Sequence, residues 1–164
     1  MVTVKTVLLL RHAKAERGPE YPDDVARPLA GRGKRDATQV GEWMAAQGLA
    51  PNLVISSPAK RARQTARRCA DAVQYAGEIR LEDSLYLASE MAYLELMRGL
   101  DDRVGSVLLV GHNPDIAVLV ERLSGQAERM PTAALARIDL PIEHWSELAE
   151  GQGKLAWVHI PGLM

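Results

Sequence analysis

The sequence predicts an α/β fold, a three-layer α/β/α sandwich around a mostly parallel central sheet. Three observations carry that prediction. Val7–Leu10, Leu53–Ile55 and Val107–Val110 are short continuous apolar runs, as expected of strands buried on both faces. Stretches of helical periodicity separate them, which suits helices covering both sides of a parallel sheet. The composition, 47% hydrophobic and 25% charged over 164 residues, is that of a globular chain able to bury a sizeable core. Residues 1–164 read as a single domain with no linker or low-complexity segment.

Val7–Leu10 forms the first strand and ends at Arg11-His12. Its apolar stretch is too short for the hydrophobic part of a signal peptide, and no run reaches the length of a membrane span. A cytoplasmic location is therefore the expectation. Gly31 to Gly48 predicts a helix, with Ala37, Val40, Gly41, Met44 and Ala45 near helical spacing and Gly48 as its stop. Leu53–Ile55 is the second strand, followed by Ser56-Ser57. Ser57 as N-cap and Pro58 as first helical residue then open a helix through Ala62, Ala66, Cys69 and Val73 toward Gly77.

Ser89–Leu100 reads as a further helix with Met91, Leu94, Met97 and Leu100 on one side. Val107–Val110 is a strand ending at Gly111-His112, and Pro114–Leu123 is the helix after it, stopped near Ser124-Gly125. Ala134–Leu140 and Leu155–Ile160 are β-rich and read as additional strands, one antiparallel at an edge.

Charge and cysteine content narrow the function. A net charge of −1 argues against a nucleic-acid partner or an anionic membrane. The single cysteine, Cys69, excludes an internal disulfide and a multi-cysteine metal site. The segment GRGK (31–34) lacks the spacing of a phosphate-binding P-loop, and the chain carries neither HExxH nor GxSxG. No cofactor and no metal is expected.

Ligands of open α/β sheets bind at the carboxyl ends of the strands. Arg11-His12, Ser56-Ser57 and Gly111-His112 all stand at such ends, so they are expected to share one rim. The helix after Pro58 brings Arg61 to that rim, together with unpaired N–H groups that favour anions. Its basic neighbours Lys60, Arg63, Arg67 and Arg68 are of the kind that ordinarily mark a solvated helix face. Arg61 differs because it shares a helical face with Pro58 and Thr65. Guanidinium groups match phosphate oxygens in pairs, and an imidazole is a competent nucleophile toward phosphorus. Arginines around an imidazole also keep it unprotonated and free to attack. His144 and His159 have no such context and are read as structural.

These residues carry a family resemblance. LLLRHAKAE (8–16) resembles the RHG signature of the histidine phosphatase superfamily, branch 1, with Ala13 where glycine is commoner. SSPAKRARQTA (56–66) resembles that family's SP-x-x-R-A-x-Q-T segment, and VLLVGHNP (107–114) its second histidine motif. RPLAGRG (27–33) and MPTAALARIDL (130–140) resemble the small SixA-type phosphohistidine phosphatases. The resemblance implies a phosphoglycerate-mutase-like fold and a phosphatase that needs no metal. It implies His12 as the nucleophile that is transiently phosphorylated, with Arg11, Arg61 and His112 binding the phosphoryl group and Arg27 reaching the same pocket.

The family's general acid corresponds most closely to Asp83, in Asp83-x-x-Tyr86, with Glu82 and Glu90 as rivals. A phosphohistidine substrate needs little acid help, because a protonated ring leaves as neutral imidazole. The short stretch between the Arg61 helix and the His112 strand leaves little chain for a lid, so an open pocket is expected. The implied substrate is phosphohistidine on a protein such as a phosphotransfer domain, and the alternative is a small phosphate monoester.

Overall fold

A computed structural model of the chain describes residues 5–162. Six strands form one sheet: β1 (Lys5–Arg11), β2 (Leu53–Ser56), β3 (Arg80–Leu81), β4 (Ser106–Gly111), β5 (Leu135–Leu140) and β6 (Lys154–His159). Their spatial order is β3-β2-β4-β1-β5-β6. The four from β3 to β1 run parallel. β5 is antiparallel to β1, and β6 to β5. Both late strands thus pair antiparallel with their neighbour, where only one was expected to. β3 is absent from the sequence reading because its two residues are exposed and carry no apolar run.

The α-helices are α1 (Gly31–Ala46), α2 (Lys60–Ala72), α3 (Glu90–Arg98) and α4 (Asp115–Ser124). Alternation along β1 and β4 sorts the core into two layers, as a pleated strand requires. Leu8, Leu10, Leu108 and Val110 pack toward α1 and α2, with Val40, Met44, Ala62, Ala66 and Cys69. Val7, Leu9, Val107 and Leu109 pack toward α3 and α4, with Tyr93, Leu94, Met97, Leu119 and Val120. This is the three-layer α/β/α sandwich.

Two helix boundaries differ from expectation. α2 starts at Lys60 with Ala59 as its N-cap, so Ser57 does not cap it and Pro58 precedes it. The Ser57 hydroxyl accepts the Ala59 amide at 3.2 Å and stands 2.7 Å from Nε2 of His112. α2 also ends at Ala72, short of Gly77, with Val73 as its C-cap. α4 ends as expected near Gly125, which takes the left-handed conformation (φ 75°) that glycine adopts without penalty.

At the end of β4 a side chain is excluded. A Cβ built on Gly111 would fall on the Tyr93 hydroxyl and 2.9 Å from its ring carbons. Tyr93 is fully buried and donates to the Leu85 carbonyl at 3.2 Å, so it has little room to retreat. Gly111→Ala is expected to lower stability by about 1–3 kcal/mol. Urea unfolding measures this, and adding Tyr93→Phe, which removes the clashing oxygen, should recover part of the loss.

Candidate active site

Parallel pairing of β1 with β4 sets Leu10 against Val110 and Arg11 against Gly111. The residue after each pair is a histidine, so both imidazoles arrive at one rim. Their ring centroids lie 5.2 Å apart, tilted by 57°. The His12 backbone amide also donates to the Gly111 carbonyl at 3.0 Å, tying the two strand ends together.

His12 is buried, and its Nδ1 lies 2.8 Å from the Ala13 carbonyl. A carbonyl only accepts, so Nδ1 carries the proton and Nε2 keeps its lone pair. The Ala13 amide in turn donates to Thr65 Oγ1 at 3.1 Å, which fixes this loop against α2. Burial is the main reason the His12 pKa is pushed down to about 3, and His112, Arg61 and Arg11 add to it. His112 is held down to about 4, again chiefly by burial and next by Arg61. The hydroxyl of Ser57, which accepts from Ala59, also shares a hydrogen bond with Nε2 of His112 and so fixes the orientation of that ring.

A cavity of about 430 Å³ is lined by Arg11, His12, Arg27, Arg61 and His112. The structure therefore brings together five of the residues singled out from the sequence. Arg11 donates to the Met130 carbonyl at 3.2 Å. Arg61 donates to the Asp24 carbonyl at 2.8 Å and to Asp24 Oδ2 at 3.1 Å. Nε of Arg11 and Nε of Arg61 are both buried with no hydrogen-bond partner among the described residues. Buried guanidinium donors left unpaired are costly.

Asp24 escaped the sequence reading. It lies in a single 3-10 turn (Asp24–Ala26), where nothing in the pattern separates it from Asp23. Its carboxylate takes Arg61, Arg27 (3.0 Å) and the Tyr86 hydroxyl (2.6 Å). The Tyr86 hydrogen bond first, then those of the arginines, hold its pKa down to about 2. One carboxylate thus orients two of the pocket's arginines.

The structure does not bring Asp83 to the site. It begins a 3-10 turn (Asp83–Leu85) whose buried residue is Leu85, and Asp83 itself is exposed. Of the pair Asp83-x-x-Tyr86, only Tyr86 lines the cavity, edge-on to His112 with centroids 5.6 Å apart. Glu82 is paired with Arg80 at 2.5 Å and Glu90 with Arg122 at 3.1 Å. Neither lines the cavity.

The carboxylate that does line it is Asp115, buried in the first turn of α4, three residues after His112. Burial first, then the nearby Glu90, raises its pKa. Its place beside the second histidine is the signal that could have found it.

Other features fall outside the site. A larger groove of about 660 Å³, lined by Lys60, Arg63, Arg67 and Arg68 among others, holds no imidazole. His144 pairs with Asp102 at 2.9 Å, and His159 stacks on Trp43 with centroids 3.9 Å apart. Among the described residues no group of three or more His, Cys, Asp or Glu is placed to hold a metal ion. No helix among them is long and apolar enough to cross a membrane.

Comparison with known proteins agrees with this geometry. The family model for the histidine phosphatase superfamily (branch 1) matches residues 7–97. An uncharacterised protein of Mycobacterium tuberculosis is 34% identical over 167 residues, spanning 93% of this chain and 99% of its own. A solved structure from Agrobacterium tumefaciens, provisionally named phosphohistidine phosphatase SixA, has a TM-score of 0.83. It is 30% identical and covers 96% of this chain and 98% of that one. A structure of the protein histidine phosphatase SixA complexed with tungstate gives 0.82 at 25% identity, covering 95% and 97%. The fold is that of these SixA structures and is phosphoglycerate-mutase-like.

The two depressed histidines predict an acid-sensitive fold. An unfolded imidazole titrates near 6.5, so below that pH the unfolded chain takes up protons that the folded chain refuses. Stability is fully present above about pH 6.5 and declines as pH falls toward the folded values of about 3 and about 4. Between pH 7 and pH 5 each histidine should cost about 1–2 kcal/mol. Urea midpoints in phosphate-free buffer test this. His12→Asn/His112→Asn should lose less stability over that interval, and an equal loss would contradict the assignment of both rings as neutral.

Proposed function

The chain belongs to the histidine phosphatase superfamily (branch 1), as a SixA-type member, and on that premise we propose that it hydrolyses phosphohistidine on a protein through a phospho-His12 intermediate. One observation carries this reading. His12 is neutral, its Nδ1–H is committed to Ala13, and its free Nε2 belongs to a cavity walled by arginines.

In the first step the Nε2 lone pair attacks phosphorus in line, and the bond from phosphorus to the substrate nitrogen breaks. A substrate ring that enters protonated leaves as neutral imidazole, so no further proton is required. In the second step water attacks the phospho-His12 phosphorus and Nε2 recovers its electron pair, which releases phosphate. Arg11, Arg61 and Arg27 stabilise the negative charge on the transferring group, and His112 hydrogen-bonds to it. These cations supply the charge that a metal would otherwise bring, and the proposed reaction is metal-independent. The proposed site of action is the cytoplasm.

The similarity to the SixA structures supports the phosphohistidine substrate, as does the absence of Asp83, Glu82 and Glu90 from the cavity lining. A second reading, hydrolysis of small phosphate monoesters, is favoured by Asp115. An alkoxide leaving group needs a proton, and a buried carboxyl with a raised pKa is suited to give one.

Both readings are decided with purified enzyme offered a phosphohistidine-bearing phosphotransfer domain and a panel of alkyl phosphates, with and without a chelator. The leading reading expects turnover of the phosphoprotein, untouched by chelation and abolished by His12→Ala. Turnover of esters alone, reduced about 100-fold or more by Asp115→Asn, would establish the second reading instead.

A further inference from the structure

The mouth of the catalytic cavity carries an apolar side chain in a strained backbone state. Leu87 lines the cavity and is 87% exposed. Its φ of 53° lies in the left-handed region, which leucine rarely adopts. Such outliers concentrate at sites that use them. The neighbouring residue explains how the conformation is held. Tyr86 is fastened inward by its 2.6 Å hydrogen bond to Asp24 and its edge contact with His112, and Leu87 is thrown out to solvent.

The same mouth holds two exposed cations, Lys14 and Arg17. Neither is in an ion pair among the described residues, whereas Arg27 and Arg61 are both paired with Asp24. Two kinds of recognition therefore border the inner phosphate site. A small sugar or alkyl phosphate has a polar surface and gains nothing from an exposed leucine. A macromolecular surface laid against the mouth buries it.

We propose that Leu87, with Lys14 and Arg17 at the same mouth, forms the docking surface for the protein that carries the phosphoryl group. That partner presents apolar side chains and carboxylates around its phosphorylated residue. The inference rests on the protein-substrate reading above and adds the chemistry of the substrate's surroundings. A lipid surface fits less well, since one exposed leucine on a chain of net charge −1 offers a membrane little to hold.

The test uses the full chain and three probes: p-nitrophenyl phosphate, a phosphohistidine peptide flanked by glutamate and leucine, and one flanked by lysine and serine. Leu87→Asn removes the apolar contact, and asparagine tolerates the left-handed backbone. The expected result is a KM about tenfold higher for the acidic, apolar peptide, with its kcat and the p-nitrophenyl phosphate kinetics unchanged. Lys14→Gln/Arg17→Gln should reduce the preference for that peptide over the basic one, and added salt should do the same in the wild type.

An unchanged peptide KM would overturn the proposal. So would an equal shift for p-nitrophenyl phosphate, which would make Leu87 a determinant of cavity shape. Binding to phosphatidylserine–phosphatidylcholine vesicles that Leu87→Asn abolishes, with peptide KM unmoved, would assign the patch to membranes. Wild-type turnover of p-nitrophenyl phosphate but of neither peptide would overturn the phosphohistidine reading itself.

Discussion

The register of one parallel strand pair governs this site. β1 and β4 lie side by side at the centre of the sheet, aligned so that Arg11 faces Gly111. Because parallel strands end on the same side, each delivers the next residue to the same rim, and both of those residues are histidines. A one-residue slip would carry one histidine away from that rim and break the bond from the His12 amide to the Gly111 carbonyl. The matched pair Arg11 and Gly111 then separates the histidines by role. Arg11 extends a guanidinium into the cavity, whereas Gly111 leaves room for Tyr93, whose hydroxyl accepts the His112 amide at 3.3 Å.

The electrostatics follow from burial among cations. Both imidazoles are kept neutral chiefly because charging them would require a proton in a poorly solvated site already facing arginines. The arginines themselves stay in place because Asp24 holds two of them from outside the cavity. Guanidinium groups that line the cavity, two of them held by a counter-charge outside it, are a preorganised arrangement for an oxyanion. The same Asp24 fastens Tyr86, so the phosphate site and the leucine-bearing mouth share one anchor.

Much of this was legible in the sequence. Val7–Leu10, Leu53–Ile55 and Val107–Val110 are buried on both faces, and burial leaves an unbroken apolar run. From there the strand-end rule was enough to place Arg11, His12, Arg61 and His112 together. What escaped was set by partners distant in the chain. Ser57-Pro58 has the form of a helix start, yet Ser57 turns to His112, a residue that no local pattern connects to it. Asp83 kept the sequence spacing of a general acid, but the 3-10 turn buries Leu85 and leaves Asp83 in solvent. Asp115 took the place in the cavity instead. Asp24 has no local signature, because its importance comes wholly from the arginines and tyrosine that converge on it.

The central claim is that Nε2 of His12 forms a bond to phosphorus. Its most direct measurement is rapid mixing of enzyme with an excess of phosphodonor, a quench in base to preserve phosphohistidine, and peptide mass spectrometry of the chain. One phosphoryl group is expected on the peptide containing His12, formed in a burst and missing from His12→Asn. A phosphoryl group on another residue, or full turnover by His12→Asn, would contradict it.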